Sequence, residues 1–228
     1  MDWNNFDEYF GKLKTVLRNI IGNGKNANKL EIYGSYLDYR GDISTIIQRI
    51  EAETQEYMIL RRRIAEMIQR NEEPDKELFM KIDKIFISLR LDIKSFFIFT
   101  RIFLDTLARI IRLYFGKKGG QLPWDMAELV KHKKLIELDS DFAEGLKDRM
   151  FWMDSLRTRR VEIEHYLGSI RSITTRDGKF GFDLLGARIR RDWGTDTVMS
   201  ITDYMEDTLS NLSSVILHIY HKFQLQDT

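Results

Sequence analysis

The chain has 228 residues, with 36 Lys and Arg against 35 Asp and Glu for a net charge of +1, 43% hydrophobic and 31% charged residues, two prolines and no cysteine. A chain of this length buries about 70% of the surface its unfolded form exposes, so it needs no metal or disulfide staple and is expected to fold as one large domain. The lack of cysteine excludes a disulfide scaffold, a thiolate nucleophile and cysteine-ligated zinc or iron–sulfur centres, and the near-zero charge gives no global pull toward nucleic acid.

Abundant Leu, Ile, Lys, Arg and Glu with so little proline predict an all-α fold, an antiparallel helical bundle. The first residues, Met1-Asp-Trp-Asn-Asn-Phe-Asp-Glu, lack the basic start and apolar run of a signal peptide, so a cytoplasmic location is expected. A first helix is predicted from about Trp3 to Ile21, where Phe6, Phe10, Leu13 and Leu17 repeat at helical spacing and Gly22-Asn-Gly24 follows. A second segment, about Asp42 to Gln69, carries Ile43, Ile46, Ile47, Ile50, Tyr57 and Ile64. Arg61-Arg-Arg63 reads there as a solvated face. The turn Asn71-Glu-Glu-Pro74-Asp leads into a long helix from about Asp75 to Phe115, which Gly116-Lys-Lys-Gly-Gly120 stops. Its stretch from Ile85 onward is the most apolar of the chain, but Arg90, Asp92, Lys94, Arg101, Asp105, Arg109 and Arg112 interrupt it, so it reads as a buried helix and no membrane span is expected. Phe96, Phe97 and Phe99 read as core, and Arg101 with Asp105 as an internal i,i+4 ion pair or a contact to a neighbouring helix.

A short helix is predicted from about Trp124 to His132, an exposed basic turn at Lys131-His-Lys-Lys134, and a longer helix from about Asp139 to Ser169. Alternating apolar and polar residues on either side of Asp177-Gly178 predict a small β-hairpin at about 172–184, before a last helix from about Thr197 to Phe223. Residues 1–71 then form a helical extension packing on a bundle made by residues 75–228.

The chemistry concentrates in the segment from Asp148 to Leu167. At heptad spacing Leu146, Met153, Leu156, Ile163, Leu167 and Ile170 share a face, and Arg160 stands in the same row. A guanidinium on a core-facing row costs several kcal/mol, by rough estimate, unless a carboxylate or phosphate meets it. Between Arg157 and Arg191 nine Lys and Arg stand against four acidic residues, a local charge of about +5. Metal-free RNA cleavage needs a proton-transfer group, which His165 can supply near neutrality, and a cation for the charge on phosphorus, which Arg160 can supply. On one helix Arg160 and His165 lie roughly 140° apart around the axis and about 7.5 Å along it, so convergence calls for two copies facing each other in a symmetric dimer.

With Arg160-Val-Glu-Ile-Glu-His165 placed late in a helical bundle, the chain resembles the HEPN superfamily over roughly Asp75 to Phe223. The motif of that family is an Arg, four to six residues and a His; Arg159 fits it as well, with five residues intervening. The resemblance implies a homodimer joined through the motif helices and a metal-independent endoribonuclease of a toxin–antitoxin or defence type, with a protein antitoxin or other partner. Under it, Arg160 and His165 are catalytic, Arg159, Arg188, Arg190 and Arg191 bind RNA, and no cofactor or metal is used. Val161 follows Arg160 where the resemblance implies a polar residue, and the alternative is a catalytically inactive module binding protein or RNA. His218 and His221, one turn apart near a helix C-terminus, read as favourable cations there and not as metal ligands. Gly116-Lys-Lys-Gly-Gly-Gln121 is similar to a phosphate-binding loop, but it follows a helix and lacks Gly-Lys-Ser/Thr, so it reads as helix termination.

Overall fold

A computed structural model of the chain describes residues 3–21, 27–154, 156, 169–174, 180–185 and 199–225. The architecture is an all-α helical bundle carrying a small antiparallel sheet. Helix α1 spans Trp3–Ile21, α2 Ala27–Gln69, α3 Lys76–Tyr114, α4 Gly116–Gly119, α5 Met126–Leu129, α6 Lys133–Leu138, α7 Ser140–Arg149 and α8 Ile201–Gln224. Strands β1, Ser169–Thr174, and β2, Phe180–Leu185, pair antiparallel from Ser169 opposite Leu185 to Thr174 opposite Phe180, and the two-residue β3, Met199–Ser200, pairs with β2. The predicted turn at Asp177-Gly178 lies outside the described residues.

Four of the expected boundaries are corrected. Helix α2 starts at Ala27 and not near Asp42, because Tyr36, Tyr39 and Ile43 are buried and their packing outweighs the helix cost of Gly34 and Gly41. Of the predicted basic turn at 131–134, Lys131 is an exposed turn residue, but Lys133 and Lys134 start α6, with His132 half-buried as its N-terminal flanking residue. Helix α5 covers only Met126–Leu129 of the stretch predicted from Trp124 to His132, with Asp125 capping it. The last helix starts at Ile201 and not at Thr197, since Met199 and Ser200 pair with β2 and the Ser200 hydroxyl oxygen accepts the Asp203 N–H at 3.5 Å.

The turn between α2 and α3 shows how local chemistry sets a boundary. Asn71 adopts φ 57°, in the left-handed region that asparagine tolerates, the Glu72 N–H reaches the Met67 carbonyl at 2.9 Å and the Asn71 N–H the Ile68 carbonyl at 3.0 Å. This is a Schellman closure of α2. Four residues on, the Asp75 carboxylate accepts the Glu77 N–H at 3.1 Å and starts α3.

Two compact units result, each assembled from separated segments. The first contains Met1–Asp42, Phe99–Arg157 and Met205–Thr228. Its core is an aromatic stack: Phe10 lies on Tyr36 with centroids 4.1 Å apart, and Phe103 lies on Tyr39 at 3.9 Å and reaches Tyr36 at 5.7 Å. The Tyr36 hydroxyl donates to the Phe10 carbonyl at 2.9 Å, which satisfies the one polar atom of a fully buried ring. Burial pushes both the Tyr36 and Tyr39 phenols above their ordinary range. A second stack, Tyr114 on Phe223 at 4.0 Å, joins α3 to α8, and the Tyr114 hydroxyl donates to the Lys222 carbonyl at 3.0 Å.

The second unit contains Ile43–Ile98 and Thr158–Tyr204. Here α2 and α3 run antiparallel: Arg49 pairs with Asp92 at 2.9 Å, Glu53 accepts from Ser88, and Lys81 pairs with Glu56 at 2.7 Å, so partners step down α3 as they step up α2. Ile43, Ile47, Ile50 and Leu89 fill the interior with Phe96 and Phe97, whose rings meet Tyr204 at 6.2 and 5.1 Å. Arg61, Arg62 and Arg63 are exposed.

Candidate functional site

The approach to the Arg–His motif is built from α7. Asp139 caps its first turn by accepting the Phe142 N–H at 3.0 Å and is held in place by Lys222 of α8. Helix α7 is broken before Met153, and helical residues resume at Met153, Asp154 and Leu156. It stops at Arg149, where Met150 takes φ −101° and ψ 11°, the Trp152 indole N–H captures the Arg149 carbonyl at 2.9 Å, and the Met153 N–H turns back to Met150 at 3.0 Å. A side-chain donor here replaces the backbone donor that would have continued the helix. Leu146, Met153 and Leu156 of the predicted apolar row are buried, and Ile170 sits in β1 and not on a helix. Arg159, Arg160, His165, Arg188, Arg190 and Arg191 lie outside the described residues, as do Val161, Ile163 and Leu167.

His218 on α8 lies flat on Phe142 of α7 with centroids 4.9 Å apart, and its Nε2–H donates to the Phe142 carbonyl at 3.0 Å. Gly145 permits this contact, since a Cβ there would sit 2.5 Å from the His218 ring. Burial holds the imidazole below its ordinary value near 6.5, with the Arg149 and His221 charges acting in the same direction. The unfolded chain therefore takes up a proton at higher pH than the folded one. The stability due to a neutral His218 is complete above pH 6.5 and is lost as pH falls from there through the folded value. His218→Gln, which keeps an N–H donor, is expected to flatten the drop in urea midpoint between pH 7.5 and 5.5. An unchanged drop would show that His218 does not cause it. Among the described residues no group of three or more His, Asp or Glu is placed to hold a metal ion, and no helix is long and apolar enough to cross a membrane.

Arg101 and Asp105 do meet, and a third residue joins them. Arg101, 8% exposed, places Nε 3.3 Å from Asp105 and donates from Nη2 to Asp125, the cap of α5. Asp105 in turn accepts the Met126 N–H at 3.0 Å, and Asp125 the Glu128 N–H at 3.1 Å. Burial pushes Asp105 above its ordinary range; at Asp125 the same effect is outweighed by the Arg101 hydrogen bond and charge acting together with the Glu128 and Ala127 backbone N–H groups, which hold it below. One cation thus fastens α5 to α3 through two carboxylates, a structural arrangement. Arg101→Leu leaves both carboxylates without it and is expected to cost about 3 kcal/mol in urea unfolding. Adding Asp125→Asn should recover part of that loss, and equal midpoints for wild type and Arg101→Leu would refute the role.

The first unit also holds a cleft of about 400 Å³ between the first turns of α2, the last turns of α3 and the glycine-rich segment after it. Lys29, Arg109, Arg112 and Lys117 line it with Trp124, and no carboxylate does among the described residues. Gly116 takes φ +57° to turn the chain, and at Gly119 a Cβ would lie 2.2 Å from the Arg112 carbonyl, so only glycine allows this loop to close on α3. Arg112 donates to the Gly120 carbonyl at 3.1 Å and sets its guanidinium 4.1 Å over the Trp124 ring, with Arg109 at 5.7 Å. Burial lowers Arg112 from its ordinary value. Gly116–Gly120 thus terminates α3 as its sequence predicts and, with Trp124, forms one wall of a cationic cleft, which sequence reasoning missed. The signal was Arg109 and Arg112, one turn apart, with a tryptophan beyond the glycines. Comparison with known proteins finds no family model, no curated protein and no solved structure that matches this chain.

Proposed function

We propose that the protein is a HEPN-like, metal-independent endoribonuclease acting as a homodimer. The observation that carries this reading is the sequence Arg160-Val-Glu-Ile-Glu-His165, set after the buried Met153 and Leu156 in an all-α bundle. In the proposed reaction His165 moves the proton and Arg160 stabilises the charge on phosphorus, while Arg159, Arg188, Arg190 and Arg191 hold RNA. The 2′-hydroxyl oxygen attacks phosphorus, the bond to the 5′ oxygen breaks, and a 2′,3′-cyclic phosphate and a 5′-hydroxyl result. Val161, apolar after Arg160, favours the second reading, a catalytically inactive module that binds RNA or a protein partner such as an antitoxin.

The test is incubation of mixed RNA with the purified chain and with Arg160→Ala/His165→Ala in EDTA, followed by end-group analysis. Cyclic phosphate ends from the wild type alone are the expected result. Equal degradation by both, or none by either, removes the catalytic claim.

A further inference from the structure

The cleft beside Trp124 has a composition that neither the bundle nor the Arg–His motif requires. Four cationic side chains converge on it in a chain whose net charge is only +1. Like charges gathered in one concavity repel each other, so the gathering destabilises the empty site and favours an anion. Trp124 is 56% exposed although Arg112 covers part of it, so indole surface remains open to a planar group. Ile32 and Leu113 add apolar wall. The volume suits one small ligand and is too small to admit a duplex.

An anion alone would not need the tryptophan, and a planar apolar ligand would not need the cations. One ligand chemistry uses both: a nucleobase that stacks on an aromatic face while its phosphate meets lysine and arginine. We propose that this cleft binds a nucleoside phosphate, its base on Trp124 and its phosphate held by Lys29, Arg109 and Lys117. Arg112 positions Trp124 through the contact to its ring and anchors the loop through Gly120. The ligand can be a free nucleotide or the 5′-phosphorylated end of a single-stranded RNA, since both present the same groups. The inference uses residues of the first unit only and does not rest on catalysis at Arg160 and His165.

The test titrates the full-length chain, by calorimetry and tryptophan fluorescence, with adenosine 5′-monophosphate and adenosine 5′-triphosphate. Parallel titrations use a six-nucleotide 2′-O-methyl RNA, which cannot be cleaved, bearing either a 5′-phosphate or a 5′-hydroxyl. Binding of the mononucleotides assigns the free ligand. Binding of the 5′-phosphorylated RNA alone, with the 5′-hydroxyl form at least about tenfold weaker, assigns the RNA end. In either case Lys29→Gln/Lys117→Gln and Trp124→Ala should each lower the affinity for the bound probe at least about tenfold, whereas Arg160→Ala/His165→Ala should leave mononucleotide affinity unchanged. The lysine pair is the decisive variant if Trp124→Ala fails to fold, as both lysines lie on the surface of the cleft. No binding of the mononucleotides together with RNA binding that ignores the 5′-phosphate, no binding of any probe at about 1 mM, or mononucleotide or 5′-phosphate-dependent binding that the lysine pair does not weaken would overturn the proposal.

Discussion

Replacing His165 by alanine is expected to slow metal-free RNA cleavage by about 10²–10⁴-fold, the range over which a positioned proton-transfer group acts. The pH dependence carries more information than the loss. A wild-type rate limited by an imidazole should show a break in its pH profile, and His165→Ala should lose that break along with most of the rate. Arg160→Ala should slow the reaction by about 10²–10³-fold while keeping the break, because it removes charge stabilisation and not proton transfer. Arg160→Lys should fall between, since an ammonium supplies charge without the planar fork that matches two phosphate oxygens. Mixing the two single variants offers a further check. If one copy supplies Arg160 and the other His165, each mixed dimer contains one intact composite site, and the mixture should exceed either variant alone. A rate break that survives in His165→Ala would rule out the assigned proton transfer.

Phe103→Ala is expected to cost about 4 kcal/mol of folding stability, in the middle of the range for buried aromatic truncations. Phe103 is fully buried and has three aromatic neighbours, Phe10, Tyr36 and Tyr39, drawn from two other helices. Deleting it removes the transfer gain of the ring and leaves a cavity bounded by Tyr36 and Tyr39, neither of which can shift freely. The Tyr36 hydroxyl is tied to the Phe10 backbone, and Tyr39 is itself almost fully buried. Phe103→Leu, which refills most of the space, should cost clearly less. Arg40 supplies the contrast: it makes two hydrogen bonds to Asp7, at 2.8 and 2.7 Å, but in solvent, so Arg40→Ala should change stability by no more than about 1 kcal/mol. Urea unfolding of the three variants checks the order. Equal costs for Phe103→Ala and Arg40→Ala would show that the stack is not the core of this unit.

Much of the helical framework was legible in local sequence. The repeat from Phe6 to Leu17 bounds α1, the Asp75 cap and the glycines at 116–120 bound α3 to within about a residue, and alternation on either side of Asp177-Gly178 anticipates the pairing of 169–174 with 180–185. In each case the deciding interactions lie within a few residues of chain. The functional reading was legible only as a motif, because the spacing of Arg160 and His165 names a chemistry without saying what surrounds either side chain.

What tertiary structure decided has the opposite character. Helix α2 runs through Gly34 and Gly41 because Tyr36 and Tyr39 find Phe10 and Phe103, residues far away in sequence. Arg101 was visibly within reach of Asp105 on its own helix, but its hydrogen bond to Asp125 required the chain to turn back from residue 116 onward. The break after Arg149 follows from one indole reaching one carbonyl. The cleft at Trp124 exists because a glycine loop folds Trp124 back over Arg112, bringing it beside Lys29 from the far end of another helix. Patterns of propensity and spacing are properties of neighbouring residues, so the chain alone specified its elements and its motif; burial and charge convergence are properties of distant ones, and only packing could set them.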